Sequence, residues 1–168
     1  MNGSPRESAI RFRPIRPEDE AFLYKVYAST REEELAPLEW DTAQKEAFLR
    51  MQFLAQHRYY QTYYANDEFL VILQEEQPIG RIYIGRWENE IRLIDIALLP
   101  EFRRRGIGTG LLRDLLREGE ETGKPVRIHV EKFNPALRLY QRLGFIKIED
   151  QGVYDLMEWT PGGTGGFR

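Results

Sequence analysis

The segment Asp95–Leu116, DIALLPEFRRRGIGTGLLRDLL, is the part of the sequence that predicts the fold most directly. An apolar, strand-like run ends at Pro100, three arginines follow, and a leucine-rich amphipathic helix begins within GIGTG. A helix N-terminus presents unpaired backbone N–H groups and partial positive charge. Gly106 and Gly108 let the backbone approach a bound group closely. The segment therefore predicts an anion site, best suited to a phosphate or pyrophosphate.

Two common phosphate-binding patterns do not match this segment. A P-loop needs a Lys after a suitably spaced Gly, and the segment contains no Lys. A dinucleotide fingerprint needs a third glycine, and Leu111 occupies that position. These departures disfavour both nucleoside triphosphate hydrolysis and a nucleotide-binding interaction domain.

Composition narrows the class of protein. The chain has 168 residues, 42% hydrophobic and 30% charged, which is typical of one globular domain. A net charge of -3 gives no global attraction to nucleic acid or to an anionic membrane. Cys is absent, which excludes disulfides, thiolate metal sites and a cysteine nucleophile. The two His are far apart in sequence, so we expect no metal site. Without a long apolar run or an apolar leader, the chain is expected to be cytoplasmic, with no membrane partner.

Hydrophobic periodicity and turn residues predict the order β-α-α-β-β-β-α-β-α-β-β. Among the central strands, turns are expected at Gln77–Pro78 and Glu88–Asn89. The segment NPALRLYQRLG, residues 134–144, predicts a short helix with Asn134 as its cap, Pro135 at its first position and Gly144 just after its end. We expect a flexible leader over residues 1–8, a single domain over 9–160 and a flexible tail over 161–168.

Two motifs in order resemble a known family. Arg103-x-x-Gly106-x-Gly108 resembles the acyl-CoA signature Q/R-x-x-G-x-G/A of the GNAT N-acetyltransferase superfamily. NPALRLYQRLGF, residues 134–145, resembles that superfamily's Asn-led helix with an inward Tyr, ending in Gly-Phe. The resemblance implies an α/β fold with a mixed, mostly antiparallel central sheet, one splayed parallel strand pair and about four flanking helices. It identifies residues 91–99 and 126–131 as the splayed pair.

The resemblance also implies that acetyl-CoA is the co-substrate, without a metal. In the family, pyrophosphate lies on the turn, and the preceding strand pairs with the pantetheine arm much as an added strand would. The implied cofactor-binding residues are Ile96, Ala97, Leu98, Arg103, Arg104, Arg105, Gly106, Ile107, Gly108, Thr109 and Asn134.

The implied reaction is direct attack of a primary amine on the thioester in a ternary complex. Tyr140 occupies the family's general-acid position. The general base stays open between His129, on a strand whose faces alternate apolar and polar, and Asp95, inside an apolar strand. A chain of ordered water without a dedicated base is a third possibility. The alternative from another class is a GNAT-fold module that binds acyl-CoA as a sensor or scaffold.

The first two helices are where the family recognises its acceptor. Acids are frequent between Glu18 and Glu46, and an acidic, aromatic groove would suit a cationic amine. The candidate aromatic wall is Trp40, Tyr59, Tyr60, Tyr63 and Tyr64. Solvated acidic faces and ordinary packing explain the same residues equally simply. Aromatics in the second helix and the last strand also allow a homodimer.

Overall fold

The helices and strands follow the order that the sequence predicts. The computed structural model describes residues 9–162, so the predicted leader and residues 163–168 of the predicted tail lie outside the described part. The strands are β1 (Ile10–Pro14), β2 (Glu68–Gln74), β3 (Gln77–Arg86), β4 (Ile91–Leu98), β5 (Val126–Glu131), β6 (Ile146–Gln151) and β7 (Tyr154–Trp159). The helices are α1 (Glu20–Leu35), α2 (Thr42–Tyr63), α3 (Ile107–Thr122) and α4 (Leu137–Arg142).

The β2–β3 turn lies two residues earlier than predicted. Glu75 and Glu76 form it, with φ angles of 50° and 68°, and Gln77 and Pro78 already belong to β3. Two consecutive positive φ angles are the geometry of a tight hairpin turn whose twist matches the flanking strands. The sequence prediction followed Pro78, but a proline is also accepted near the start of a strand, where its missing N–H costs little.

The cap residues of three helices show how local sequence sets the helix ends. Asp41 caps α2, with its carboxylate accepting a bond from the Gln44 N–H at 2.8 Å. Gly123 ends α3 in the left-handed conformation, which glycine adopts readily. The predicted cap of α4 is wrong by two residues, because the Asn134 side chain accepts from the Ala136 N–H at 2.8 Å and closes a turn before the helix begins.

The seven strands are ordered β1-β2-β3-β4-β5-β7-β6 in a mixed sheet. The β4–β5 pair is parallel, and its register consists of Ile91 with Val126, Arg92 with Arg127 and Leu93 with Ile128. Both strands continue beyond these pairs, β4 to Leu98 and β5 to Glu131. Pairing between the two strands therefore stops partway along, as the predicted splay requires, and the predicted fold class is confirmed.

The chain divides into two compact units, and the single-domain organisation over residues 9–160 stays a prediction. The first unit runs to Ile82 and includes Ile96–Arg103. Its helices α1 and α2 pack around Leu23, Tyr27 and Phe53. Phe53 is the buried residue of α2, whereas Met51 is 58% exposed.

The second unit contains Tyr83–Asp95 and the chain from Arg104 onward. Helix α3 buries one leucine face, including Leu112, Leu115 and Leu116, and contacts β5. Strand β7 pairs with β5 and β6, and Trp159 is fully buried. This packing fixes the N-terminus of α3, which is the start of the predicted anion site. Within residues 9–162, no helix combines the length and apolar character needed to cross a membrane.

Candidate active site

The turn that leads into α3 has the backbone geometry of an anion cradle. Arg104 and Gly106 both lie in the left-handed region, with φ angles of 62° and 81°. The Gly110 N–H donates to the Gly106 carbonyl at 2.9 Å and begins the helical hydrogen-bond pattern. The N–H groups of the residues before Gly110 precede that pattern and have no partner within the helix. Arg104, Arg105 and Gly106 are exposed, so the turn is accessible to a ligand.

Arg103, the first arginine of the turn, is held by protein contacts within the first unit. Its Nε donates to the Leu98 carbonyl at 2.9 Å, and its Nη2 donates to Ser29 Oγ on α1 at 3.0 Å. The sequence analysis missed Ser29, because a partner 74 positions away leaves no local signal. Arg103 is exposed, as Arg104 is, but two hydrogen bonds hold its guanidinium in place.

The last part of β4, predicted to hold pantetheine, approaches β3 very closely. A Cβ added to Gly80 would lie 2.3 Å from the Ala97 carbonyl oxygen and 3.0 Å from Leu98 Cα. The Leu99 N–H donates to the Ile79 carbonyl at 2.8 Å and fixes the end of the strand. Ile96 and Ala97 are half-buried. Glycine at position 80 is therefore what permits this position of β4.

Tyr140 and Asp95 lie together in the second unit. Tyr140, on α4, is buried at 8% exposure, and its ring packs edge-on against Phe145 with centroids 5.8 Å apart. Burial, followed by the negative charge of Asp95, raises the pKa of Tyr140 to about 12. The phenol is therefore protonated at neutral pH, as a proton or hydrogen-bond donor must be.

His129 lies on the opposite face of the sheet from Asp95. In the parallel register Arg92 pairs with Arg127 and Leu93 with Ile128. Because side chains alternate along a strand, His129 shares the face of Arg127, while Asp95 shares the face of Leu93. The structure thus brings Asp95 to Tyr140 and assigns His129 to the other side of the diverging strands.

The environment of His129 favours a neutral imidazole. His129 is exposed, its ring lies edge-on to Tyr154 with centroids 6.4 Å apart, and it hydrogen-bonds Gln151. Desolvation by the surrounding protein, followed by the positive charge of Arg92, lowers the pKa of His129, and the bond to Gln151 opposes that effect. A lowered pKa leaves more of the imidazole neutral near pH 7, which is the form that accepts a proton.

A nearly buried charge network supports the His129 face. Glu90 accepts from Arg92 Nε at 2.9 Å and from Arg127 Nη1 at 3.0 Å. Arg127 also donates from Nε to Glu158 at 2.8 Å, and that bond is the main cause of its raised pKa. Sequence reasoning missed this network, because its members belong to separate strands and to the loop before β4. Paired in this way, the charges fix side-chain positions on that face.

A cleft of about 350 Å³ opens in the first unit between α1 and the segment that follows β4. Its lining combines positive, negative and apolar side chains with one aromatic ring. The lining residues are Tyr24, Lys25, Ala28, Ser29, Glu32, Leu99, Pro100 and Glu101. The predicted aromatic wall is absent from this described lining. Tyr59 and Tyr63 are instead exposed on α2, with ring centroids 4.6 Å apart.

Metal-ligating side chains do not cluster in the part of the chain that is described. Over residues 9–162 no group of three or more His, Asp or Glu side chains is arranged to hold a metal ion.

Comparison with known proteins identifies the family. The acetyltransferase (GNAT) family model matches residues 28–145. Cysteine-rich protein 2-binding protein of Mus musculus is 40% identical over 57 residues, which are 34% of this chain and 7% of that protein. An N-alpha-acetyltransferase of Sulfurisphaera tokodaii is 33% identical over 60 residues, which are 34% of this chain and 36% of that protein. Each match thus spans a minor part of the relative.

A solved structure supports the same fold. PaiA N-acetyltransferase from Thermoplasma acidophilum, in complex with coenzyme A, superposes with a TM-score of 0.65 at 22% identity. The match covers 90% of this chain and 99% of that one. With the family model matching more than half of its length, the chain belongs to the acetyltransferase (GNAT) family.

Proposed function

We propose that this protein is an N-acetyltransferase that transfers an acetyl group from acetyl-CoA to a primary amine of a small molecule or peptide. The observation that carries the proposal is the turn at residues 104–109, where two left-handed residues, Arg104 and Gly106, come just before α3. Family membership supports acyl transfer in general, and the similar PaiA structure was solved with coenzyme A bound. We place the protein in the cytoplasm.

The cofactor-binding residues in this proposal follow from backbone chemistry. The N–H groups at the start of α3 and the adjacent arginine charges suit the pyrophosphate. The backbone of Ile96–Leu98 suits the pantetheine amides, because β4 continues beyond its pairing with β5. Any backbone group of this segment that is buried without a partner would cost about 1–3 kcal/mol, and a hydrogen bond to a pantetheine amide would remove that cost.

We assign Tyr140 to the departing sulfur. The amine nitrogen forms a bond to the thioester carbon, the carbon–sulfur bond breaks, and the CoA sulfur leaves with the electron pair. The phenol has a pKa of about 12, whereas a thiol has an ordinary pKa of about 8.5. Complete proton transfer from the phenol to the thiolate therefore costs roughly 5 kcal/mol. Tyr140 therefore acts first as a hydrogen-bond donor that stabilises the developing thiolate.

We assign proton removal from the amine to His129 and an electrostatic role to Asp95. His129 is exposed and biased toward its neutral form, and it lies on the sheet face away from Tyr140. Burial keeps the Tyr140 phenol protonated, and the negative charge of the neighbouring Asp95 adds to that effect. In this assignment His129 takes the amine proton, and Tyr140 donates a hydrogen bond to the leaving sulfur. The two tasks therefore belong to different residues.

The experiment that tests the function measures thiol release from acetyl-CoA over a panel of amines. The panel contains polyamines, aminoglycosides, amino acids, peptide N-termini and lysine side chains. Because the chain has no Cys, it contributes no thiol background. Acetyl-CoA-dependent release with one amine class supports the transferase and identifies that class.

Calorimetric titration with acetyl-CoA completes the test. Binding without release for any amine favours the sensor or scaffold reading. Absence of binding to a folded protein contradicts both readings.

A further inference from the structure

We infer that Arg103 is a positioning residue and not a phosphate ligand. Its side chain links the end of β4, the strand proposed to bind pantetheine, to helix α1; we call this link the clasp. The inference deepens the proposed function and rests on it. It concerns a motif arginine whose charge would otherwise be assigned to the pyrophosphate.

The guanidinium is committed to two acceptors on different elements. Nε donates to the Leu98 carbonyl, the last residue of β4, at 2.9 Å, and Nη2 donates to Ser29 Oγ at 3.0 Å. Nε and Nη2 lie in one rigid plane, so the two bonds together fix the orientation of the guanidinium. That orientation ties the strand proposed to bind pantetheine to α1.

Ser29 is suited to this contact by its own hydrogen bonding. Its hydroxyl donates to the Val26 carbonyl at 2.7 Å. A hydroxyl has one proton, so toward Arg103 the Ser29 oxygen can only accept. The donor and acceptor roles are therefore matched, and removal of the hydroxyl leaves the Arg103 fork with one acceptor fewer.

The backbone around Arg103 is fixed independently. The Leu99 N–H donates to the Ile79 carbonyl at 2.8 Å, and the Phe102 and Arg103 N–H groups donate to the Leu99 and Pro100 carbonyls at 3.0 and 3.2 Å. Loss of the side-chain clasp should therefore leave the chain folded. Its effect falls on the position of α1 relative to Leu98, and hence on cofactor binding.

The test is a double-mutant cycle read by calorimetric binding of acetyl-CoA. We expect Ser29→Ala and Arg103→Ala each to weaken binding by about 3- to 30-fold, the range for a bond from a charged donor in a partly solvated place. The double variant should be no weaker than Arg103→Ala alone, because both changes remove the same bond. Ser29→Thr, which keeps the hydroxyl, should restore wild-type affinity, and Arg103→Lys should not, because an ammonium lacks the planar fork.

A charge-matched control separates the clasp from general electrostatics. Arg117→Ala removes a surface arginine that is 66% exposed and paired with Asp114 at 3.1 Å, and we expect it to leave affinity unchanged. Thermal denaturation of each free variant verifies that it is folded under the conditions of the titration.

The outcomes distinguish the inference from the proposed function. Wild-type protein that binds no acetyl-CoA overturns the proposed function. If the wild type binds acetyl-CoA and either Ser29→Ala or Arg103→Lys binds it with unchanged affinity, the clasp is overturned. Arg103 would then be a charge that binds phosphate.

Discussion

Asp95 lies beside Tyr140, whose pKa is raised to about 12 mainly by burial of the phenol and further by the negative charge of Asp95. The two residues come from the diverging strand β4 and from helix α4, 45 positions apart in the chain, and meet in the second unit. A carboxylate beside a buried phenol disfavours the tyrosinate, so the pair keeps a proton at one place across the physiological pH range. That property is what a donor to a leaving thiolate needs.

Tyr140→Phe should lower kcat by about 100-fold or more and change the affinity for acetyl-CoA by less than about 3-fold. The ring and its packing on Phe145 remain, and only the hydroxyl is lost. Single-turnover kinetics with the amine identified by the panel, together with calorimetry, provide the two numbers. An unchanged single-turnover rate would reject the donor role.

Gly108→Glu should abolish acetyl-CoA binding. The substitution introduces a carboxylate into the first turn of α3, where the backbone amides are proposed to approach the pyrophosphate. Gly110→Glu is the matched control, because Gly110 is exposed and a Cβ there meets no heavy atom within 4 Å. We expect the control to bind with a loss of less than about 10-fold, from screened repulsion alone. Equal affinities in folded variants would contradict the cradle.

The acid limb of kcat/KM should titrate with a pKa below 6.5, the ordinary value for histidine, because the pKa of His129 is lowered. Activity should fall as the pH drops through that pKa, since the protonated imidazole cannot accept the amine proton. His129→Gln should remove this limb and lower kcat/KM by about 100-fold or more.

His57→Gln is the control for this pH dependence, because it removes the second of the chain's two imidazoles while His129 remains. The limb should persist in that variant. A limb that survives His129→Gln would reject His129 as the base and favour Asp95 or water.

Gly80→Ala should destabilise the protein by about 1–3 kcal/mol, the usual cost of overpacking. The new methyl group would lie 2.3 Å from the Ala97 carbonyl oxygen, so β4 must shift. Acetyl-CoA affinity should fall as well, since the displaced strand is the proposed pantetheine site. Gly110→Ala, in open space on α3, should be neutral or stabilising. Urea denaturation of both variants measures the difference, and equal stabilities would show that β4 tolerates the methyl.

Asp19→Asn should lower the free energy of unfolding at pH 7 by about 1–3 kcal/mol. The Asp19 carboxylate accepts two bonds from Arg13, at 2.7 and 2.8 Å, and one from the Arg16 N–H at 2.7 Å. The bond from Arg13 is the main cause of the lowered pKa of Asp19. This stabilisation is present above the ordinary pKa of 3.8 and is lost as the pH falls through the lower folded value.

The stability gap between the wild type and Asp19→Asn should therefore close in acid. Denaturation at pH 7 and near pH 2 measures it. Glu76→Gln is the control, since its ion pair with Arg11 is 66% exposed on both sides and should change stability by less than about 1 kcal/mol. A gap that does not change with pH would mean that the loss comes from packing.

The sequence by itself determined the element order, the family and the turn before α3, because these depend on local patterns. Periodicity identifies helices and strands, Gly123 ends a helix, and the two glycines of GIG mark the turn. The position of the β2–β3 turn was harder to predict. Glu75 and Glu76 form it, and glutamate is not a typical residue at positive φ. Likewise, Asn134 could be recognised as a capping residue, but whether it capped the helix or an earlier turn depended on backbone geometry.

Tertiary structure alone decided which distant side chains meet. It paired Tyr140 with Asp95, placed His129 on the other sheet face, and gave Arg103 its partner Ser29 on α1. These relationships depend on where β4 and β5 stop pairing and on how closely β3 approaches β4 at Gly80. Such long-range packing arises from the whole fold, so no local stretch of sequence encodes it.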